Sequence, residues 1–233
     1  MDTTRPPAFF VTATDTDAGK TTISAGLLAA ARQRGLSTLA CKPVASGSQH
    51  TSDGLRNDDA LWLASQCSIQ VPYAHINPHA FAPAIAPHLA AASAGVRLDG
   101  RELLADVRRI LAHHAGLTLI EGAGGWRVPL NADETLADLA IALQLPVILV
   151  VGIKLGCINH ALLSAEAVLR DGLTLAGWVA NCTDPHMACQ ADNIHTLQQW
   201  MPAPCLGVIP HLQSTQPAAL VPHLEPALAT LLA

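Results

Sequence analysis

An α/β fold, a mostly parallel β-sheet with helices on both faces, is what this sequence predicts, and two observations carry the prediction. Short, nearly continuous apolar runs alternate along the chain with longer stretches of helical periodicity. That is the pattern of strands covered on both faces and joined by helical crossovers. One such run, AFFVTA at residues 8–13, leads into a loop that ends Gly19-Lys20-Thr21 at the start of a helical pattern. A strand, a tight loop and a helix opening on Gly-Lys-Thr form a phosphate-binding unit.

Taken in order, the strands expected are Phe9–Ala13, Thr38–Pro43, Leu117–Glu121, Val147–Gly152, Leu173–Asn181 and Cys205–Ile209. The first helix starts near Lys20, turns Ile23, Leu27, Leu28 and Ala31 inward and stops at Gly35, a residue that ends helices well. Further helices are expected over Asp58–Ser65, Gly100–His114, Thr135–Gln144, Asn159–Arg170 and Met187–Trp200. Residues 71–95 hold Pro72, Pro78, Pro83 and Pro87 and so cannot form one regular helix. A loop of that length in a compact domain is expected to wall a site. With no repeat, linker or low-complexity tail, residues 1–233 are expected to be one domain of the P-loop NTPase type.

Composition removes several function classes. Formal net charge is -5 and no basic stripe occurs, so a nucleic-acid partner bound through phosphates is not expected. Aromatic residues make up 3% of the chain, too few for a platform that stacks bases. The opening residues 1–13 lack the basic start and long apolar stretch of a signal peptide. The most apolar stretch, 139–153, is broken by Gln144, Pro146 and Gly152 and is too short to span a bilayer. A soluble, cytoplasmic protein with no membrane partner is expected. The six cysteines show no CxxC spacing and read as buried or half-buried thiols of a reducing compartment. Eleven histidines include no HExxH, and the adjacent His113 and His114 would face different sides of a helix.

In the phosphate loop, Gly19 lets the backbone approach a phosphate, and successive N–H groups at the helix start form a nest for the anion. Lys20 is placed to reach the β- and γ-phosphates and the Thr21 hydroxyl to meet Mg²⁺. The glycine that usually opens such a loop, five residues before Gly19, is Thr14 here, preceded by Ala13.

A loop one residue longer, GTDTxxGKT, is used by the dethiobiotin synthetases, and ATDTDAGKT resembles it with Ala13 in place of glycine. The resemblance continues in CKPVASG (41–47), GLRNDDA (54–60), EGAGGWRVPL (121–130), PVILVVGIKLGCINHALL (146–163) and GWVANC (177–182), in order and over most of the chain. It implies an ATP- and Mg²⁺-dependent ligase of biotin biosynthesis. Such an enzyme closes a cyclic urea on 7,8-diaminopelargonic acid with CO₂ or bicarbonate, through a phosphorylated carbamate, and works as a homodimer.

The resemblance also implies a set of site residues. Lys20, Lys42, Thr16 and Ser46 carry the catalytic roles, the two lysines holding phosphate and carbamate and Ser46 donating to the substrate. Nucleotide contacts fall to Asp17, Ala18, Gly19, Lys20, Thr21, Thr22, Asp59, Glu121, Gly122, Ala123, Gly124, Asn181, Cys182, Pro210, His211 and Leu212. Asn181 is expected to read the adenine, with residues 210–212 closing over it. Substrate contacts fall to Ser46, Gly124, Gly156, Cys157, Ile158 and Asn159, the helix opening at Gly156 meeting a carboxylate across a two-fold interface. Mg²⁺ is expected on Thr21, Asp59 and Glu121, with Asp58 instead starting a helix. Asn193 stands where the family pattern has a tyrosine near that carboxylate.

Two rivals differ at stated residues. A nucleotide-gated switch of the chromosome-partitioning type carries a lysine early in its loop, where this chain has Asp15. A scaffold that binds ATP for shape alone has no need of Lys42, Asp59 and Glu121 together.

Overall fold

The computed structural model describes residues 6–232. Part of the opening that argued against a signal peptide, residues 1–5, lies outside the described residues. The elements, in chain order, are β1 (Ala8–Ala13), α1 (Lys20–Gln33), β2 (Thr38–Cys41), β3 (Val44–Ala45), β4 (Gln49–Thr51), β5 (Gly54–Arg56), α2 (Asp58–Ser65), α3 (Tyr73–Ile76), β6 (His79–Ala80), α4 (Pro87–Ser93), α5 (Gly100–Leu111), β7 (Leu117–Glu121), α6 (Leu136–Leu143), β8 (Val147–Gly152), α7 (Cys157–Arg170), β9 (Leu175–Asn181), α8 (Gln190–Trp200), β10 (Cys205–Ile209) and α9 (Pro217–Leu231).

All six expected strands are present and form one sheet in the order β10-β9-β8-β1-β7-β2. Every pairing in it is parallel. Parallel neighbours need crossovers, and helices supply them. Strands β1, β7 and β8 are buried almost along their whole length, which accounts for their continuous rather than alternating apolar pattern. Because β1 lies between β7 and β8, their carboxyl ends converge on one edge of the sheet. The phosphate loop, the Glu121 loop and the loop after Gly152 all leave from that edge, where ligands of open α/β sheets bind.

Several boundaries differ from the sequence expectation. The helix predicted to reach His114 ends at Leu111, and His114 has φ 51°; His113 and His114 lie in the turn beyond it, not on two helix faces. The start of α2 is capped by Asn57, whose side chain accepts from the Ala60 amide at 3.3 Å, and Asp58 is the first helical residue. As expected, residues 71–95 do not form one helix; they hold two short ones and the two-residue strand β6, which pairs with β3. Four cysteines are buried and Cys205 is half-buried, but Cys189 is exposed. It caps α8 in a left-handed backbone conformation, which puts it on the surface.

Helix α9, which contains Pro217, Pro222 and Pro226, is not among the helices expected from the sequence. Pro217 sits in the first turn, where its missing N–H costs nothing. Packing against α1 outweighs the other two. Gly26 of α1 makes the approach possible: a methyl there would lie 2.6 Å from Leu224 Cδ1 and 2.9 Å from Leu220 Cβ. Arg34, just after α1, donates from Nε to Glu225 of α9 at 2.8 Å. No helix among the described residues is long and apolar enough to cross a membrane.

Candidate active site

The phosphate loop joins β1 to α1. Ala13 ends β1 fully buried, in a strand conformation that tolerates its Cβ. The left-handed turns fall later, at Asp17 (φ 61°) and Gly19 (φ 91°). The loop therefore begins without the usual glycine and still turns where it must. Gly19 has a second reason to lack a side chain, since a Cβ would stand 2.1 Å from Asn181 Nδ2. That amide donates to the Ala18 carbonyl at 2.9 Å, so Asn181, at the end of β9, already braces the loop.

Lys20 is buried and its ammonium donates to the Gly124 carbonyl at 2.7 Å and, more distantly, to the Asp15 carbonyl at 3.5 Å. Burial, with the nearby Lys42 charge, lowers its pKa to about 8. Lys42 follows β2 and is also buried, yet its pKa is raised. Burial alone would lower it, but Glu121 and Asp59 outweigh that effect. Its Nζ lies 2.8 Å from Glu121 Oε1 and 3.3 Å from Asp59 Oδ2. The same Glu121 oxygen accepts from Thr21 Oγ1 at 2.8 Å. Residues of α1, of β7 and of the turn after β2 thus meet at one carboxylate oxygen that solvent does not reach.

The other oxygen of that carboxylate, Oε2, is buried without a hydrogen-bonding partner. An unsatisfied buried carboxylate oxygen is costly unless something cationic binds it. Beside a threonine hydroxyl and the half-exposed Asp59 carboxylate, the donors are hard oxygens of the kind Mg²⁺ takes. No cluster of three or more His, Cys, Asp or Glu side chains able to hold a metal occurs among the described residues. A metal here would need phosphate oxygens and water to complete its shell.

A network not anticipated from the sequence holds this corner. Asn77 Nδ2 donates to the Lys42 carbonyl at 2.7 Å, and the Lys42 amide donates to Ile76 O at 2.7 Å. Tyr73 links Asn77 to the Asn57 amide, and Asn57 Nδ2 reaches the Ser46 carbonyl at 3.2 Å. The proline-rich segment 71–95 therefore fixes Lys42, Ser46 and the start of the helix that carries Asp59. Its prolines were visible in the sequence; the asparagines carried a weaker signal, Asn57 as a possible cap before two aspartates.

The remaining predicted residues take varied positions. Thr16 is exposed, and a Cβ on Gly124 would lie 3.8 Å from its Oγ1. Thr22, Ala123 and Gly124 are half-buried, and Gly122 is buried beneath them against Phe10. Cys182 is buried, its amide bonded to Ile209 O, while Pro210 and His211 are exposed and Leu212 half-exposed. Gly156, with φ 91°, opens α7 on the surface. The Cys157 thiol is buried and its amide is used by Lys154 O at 2.9 Å. Of that helix start, the Gly156, Ile158 and Asn159 amides are the ones left to meet an anion. Asn193, on α8, is half-buried and turns its amide back to Cys189 O at 2.9 Å.

Known proteins resemble this chain over most of its length. A family model described as an AAA domain matches residues 7–219. The ATP-dependent dethiobiotin synthetase BioD of Pseudomonas aeruginosa strain UCBPP-PA14 is 63% identical over 219 residues, covering 94% of this chain and 96% of that protein. The enzyme of the same name from Chromohalobacter salexigens is 58% identical, covering 91% and 92%. The chain belongs to the ATP-dependent dethiobiotin synthetase family. Among solved structures, the MinC:MinD cell division complex of Aquifex aeolicus superposes with a TM-score of 0.62 at 15% identity, covering 97% of this chain and 95% of that one. At that identity the likeness is one of P-loop fold alone. Where the switch-type loop has a lysine, this member of the synthetase family has Asp15 ion-paired to Lys154, which holds the Asp15 carboxyl below its ordinary pKa.

Proposed function

We propose that this enzyme closes the ureido ring of dethiobiotin on 7,8-diaminopelargonic acid, consuming CO₂ and ATP and releasing ADP and phosphate. The observation that carries the mechanism is the pair of buried ammonium groups, Lys20 and Lys42, set around the Glu121 carboxylate beside the phosphate loop. One substrate amine adds to CO₂ and loses a proton, giving a carbamate. A carbamate oxygen attacks the γ-phosphorus and ADP leaves. The second amine then attacks the carbonyl carbon, phosphate departs, a proton is lost and the ring closes.

Bringing a carbamate to a triphosphate sets anion against anion, and fixed cations in a water-poor pocket offset that repulsion. Lys20 serves the β- and γ-phosphates. Lys42 serves the carbamate and the transferring phosphoryl group, and Ser46 and Thr16 hold the substrate and loop. Thr21, Asp59 and Glu121 would hold Mg²⁺, which when bound neutralises phosphate charge. The nucleotide lies along Asp17–Thr22 and Gly122–Gly124, with its base between Asn181-Cys182 and Pro210–Leu212. Ring closure by a neighbouring amine has high effective molarity, so orientation supplies on the order of 7–11 kcal/mol of the barrier reduction.

The chain acts as one domain and as a homodimer in the cytoplasm. The Ile158 and Asn159 amides of one subunit serve the substrate carboxylate at the neighbour's site. A single assay tests the reading: ATP, Mg²⁺, bicarbonate and diaminopelargonate, with mass detection of product. ADP release should need both the diamine and bicarbonate and give a product one carbonyl heavier in its ring. Steady ATP hydrolysis indifferent to the diamine would favour a switch instead.

A further inference from the structure

Asp171 caps the carboxyl end of α7, the end opposite the Gly156 turn. Its carboxylate is largely buried and uses one oxygen for each of two donors. Trp126 Nε1 donates to Oδ2 at 2.8 Å and Arg127 donates to Oδ1 at 2.7 Å. These donors follow directly on the glycine run Gly122-Ala123-Gly124-Gly125, whose Gly124 carbonyl receives the Lys20 ammonium.

The run is held on both sides. Upstream, the Gly122 amide donates to Val11 O at 2.9 Å. Downstream, the Leu136 amide donates to Val128 O at 2.8 Å, and Leu130 to Glu134 O at 2.9 Å. Between these anchors, glycines offer no side chains to fix the backbone, and Gly124 sits at φ 61°. Trp126 is the first large side chain after them. It is buried and packs edge-on against Phe10, ring centroids 6.1 Å apart at 86°. Edge packing restrains the ring against the sheet, but the direction of the indole N–H is set by its acceptor.

We propose that Asp171 is a positioning residue for ring closure. By holding Trp126 and Arg127 it sets the course of the glycine run, and so the carbonyl against which the Lys20 ammonium rests. Asp171 touches no reacting group itself. The inference rests on the ligase reading above, with Lys20 at the phosphate.

The test compares Asp171→Ala, Trp126→Phe and their double variant in diamine-dependent turnover, well below each variant's melting temperature. Asp171→Ala is expected to lower kcat about tenfold while the KM for ATP shifts less than about twofold. Trp126→Phe keeps the packing, removes the N–H and should lose a smaller factor, because the Arg127 tie remains. The double variant should lose little more than Asp171→Ala alone, because that change already breaks the Trp126 tie. Asp171→Asn keeps one acceptor and should fall between, which also covers the case in which the alanine variant does not fold. Hydrogen exchange of the Trp126 indole N–H reads the tie without activity, and its protection should vanish in Asp171→Ala. A lowered melting temperature with kcat unchanged, or fully additive losses in the double variant, would overturn the proposal. Wild-type turnover that ignores the diamine would sink the ligase reading instead, leaving the indole exchange to report on the tie.

Discussion

Two lysines a short way apart, both buried, are held in opposite ways. Lys20 rests on carbonyl oxygens and has its pKa lowered to about 8. Lys42 rests on two carboxylates and has its pKa raised. Burial penalises both charges, and the difference lies in the formal negative charge beside Lys42. A carbonyl dipole leaves an ammonium short of compensation, so Lys20 is prepared for an incoming anion. Lys42 already has its counter-ions and needs no ligand to stay charged.

The comparison breaks most sharply at Glu121. Changing Glu121→Gln removes the nearer counter-ion of Lys42 and the carboxylate that meets Thr21. We expect a stability loss on the order of 3 kcal/mol by denaturant melting, and turnover lower by about 10³-fold. A variant as stable as the parent would mean that Asp59 alone satisfies Lys42. Next comes Lys42→Ala, which should lower ring formation by about 10²- to 10³-fold yet leave nucleotide affinity within about threefold by calorimetry. Equal losses in binding and chemistry would show that Lys42 serves the nucleotide and not the carbamate.

The smallest effect is in pH. With a folded pKa near 8, below the ordinary lysine value of 10.5, Lys20 has released its proton in the folded state between those limits while the unfolded chain keeps it. Its burial therefore destabilises the fold below pH 8, and that penalty is relieved as pH rises from 8 towards 10.5. Triphosphate binding has the opposite sense, because it favours the ammonium. At pH 9, calorimetry in buffers of different ionisation enthalpy should show proton uptake on ATP binding, absent at pH 7. Affinity should fall above pH 8 by at most about tenfold per unit. Lys42, with a raised pKa, stays protonated through this window, and any stability it contributes is lost only as pH climbs past its folded value. No proton uptake at pH 9 would mean that Lys20 is already charged there or does not meet the triphosphate.

The sequence made the sheet and its ligand edge legible because buried parallel strands are continuous apolar runs, and Gly19-Lys20-Thr21 must follow one of them. By resemblance Thr21, Lys42 and Glu121 belong to one site, yet each taken alone reads only as a strand-end or helix-start residue. Their meeting at a single oxygen depends on strand order. Asn57, Tyr73 and Asn77 escaped notice because polar side chains that bond backbone carry no periodicity. Asp171 and Trp126, 45 residues apart, are joined only by the fold. Helix α9 was hidden by its prolines, whose local cost is outweighed by contacts with α1 that no window of sequence contains.

The missing side chain at Gly26 has a practical bearing on how the protein is altered. With Leu220 and Leu224 seated against it, the last helix braces the middle of the rod whose first turn carries Lys20 and Thr21. Clipping or fusing at the tail would therefore reach Lys20, about 9 Å along α1 from Gly26, only if that seat shifts; a bulky residue at position 26 would unseat it directly.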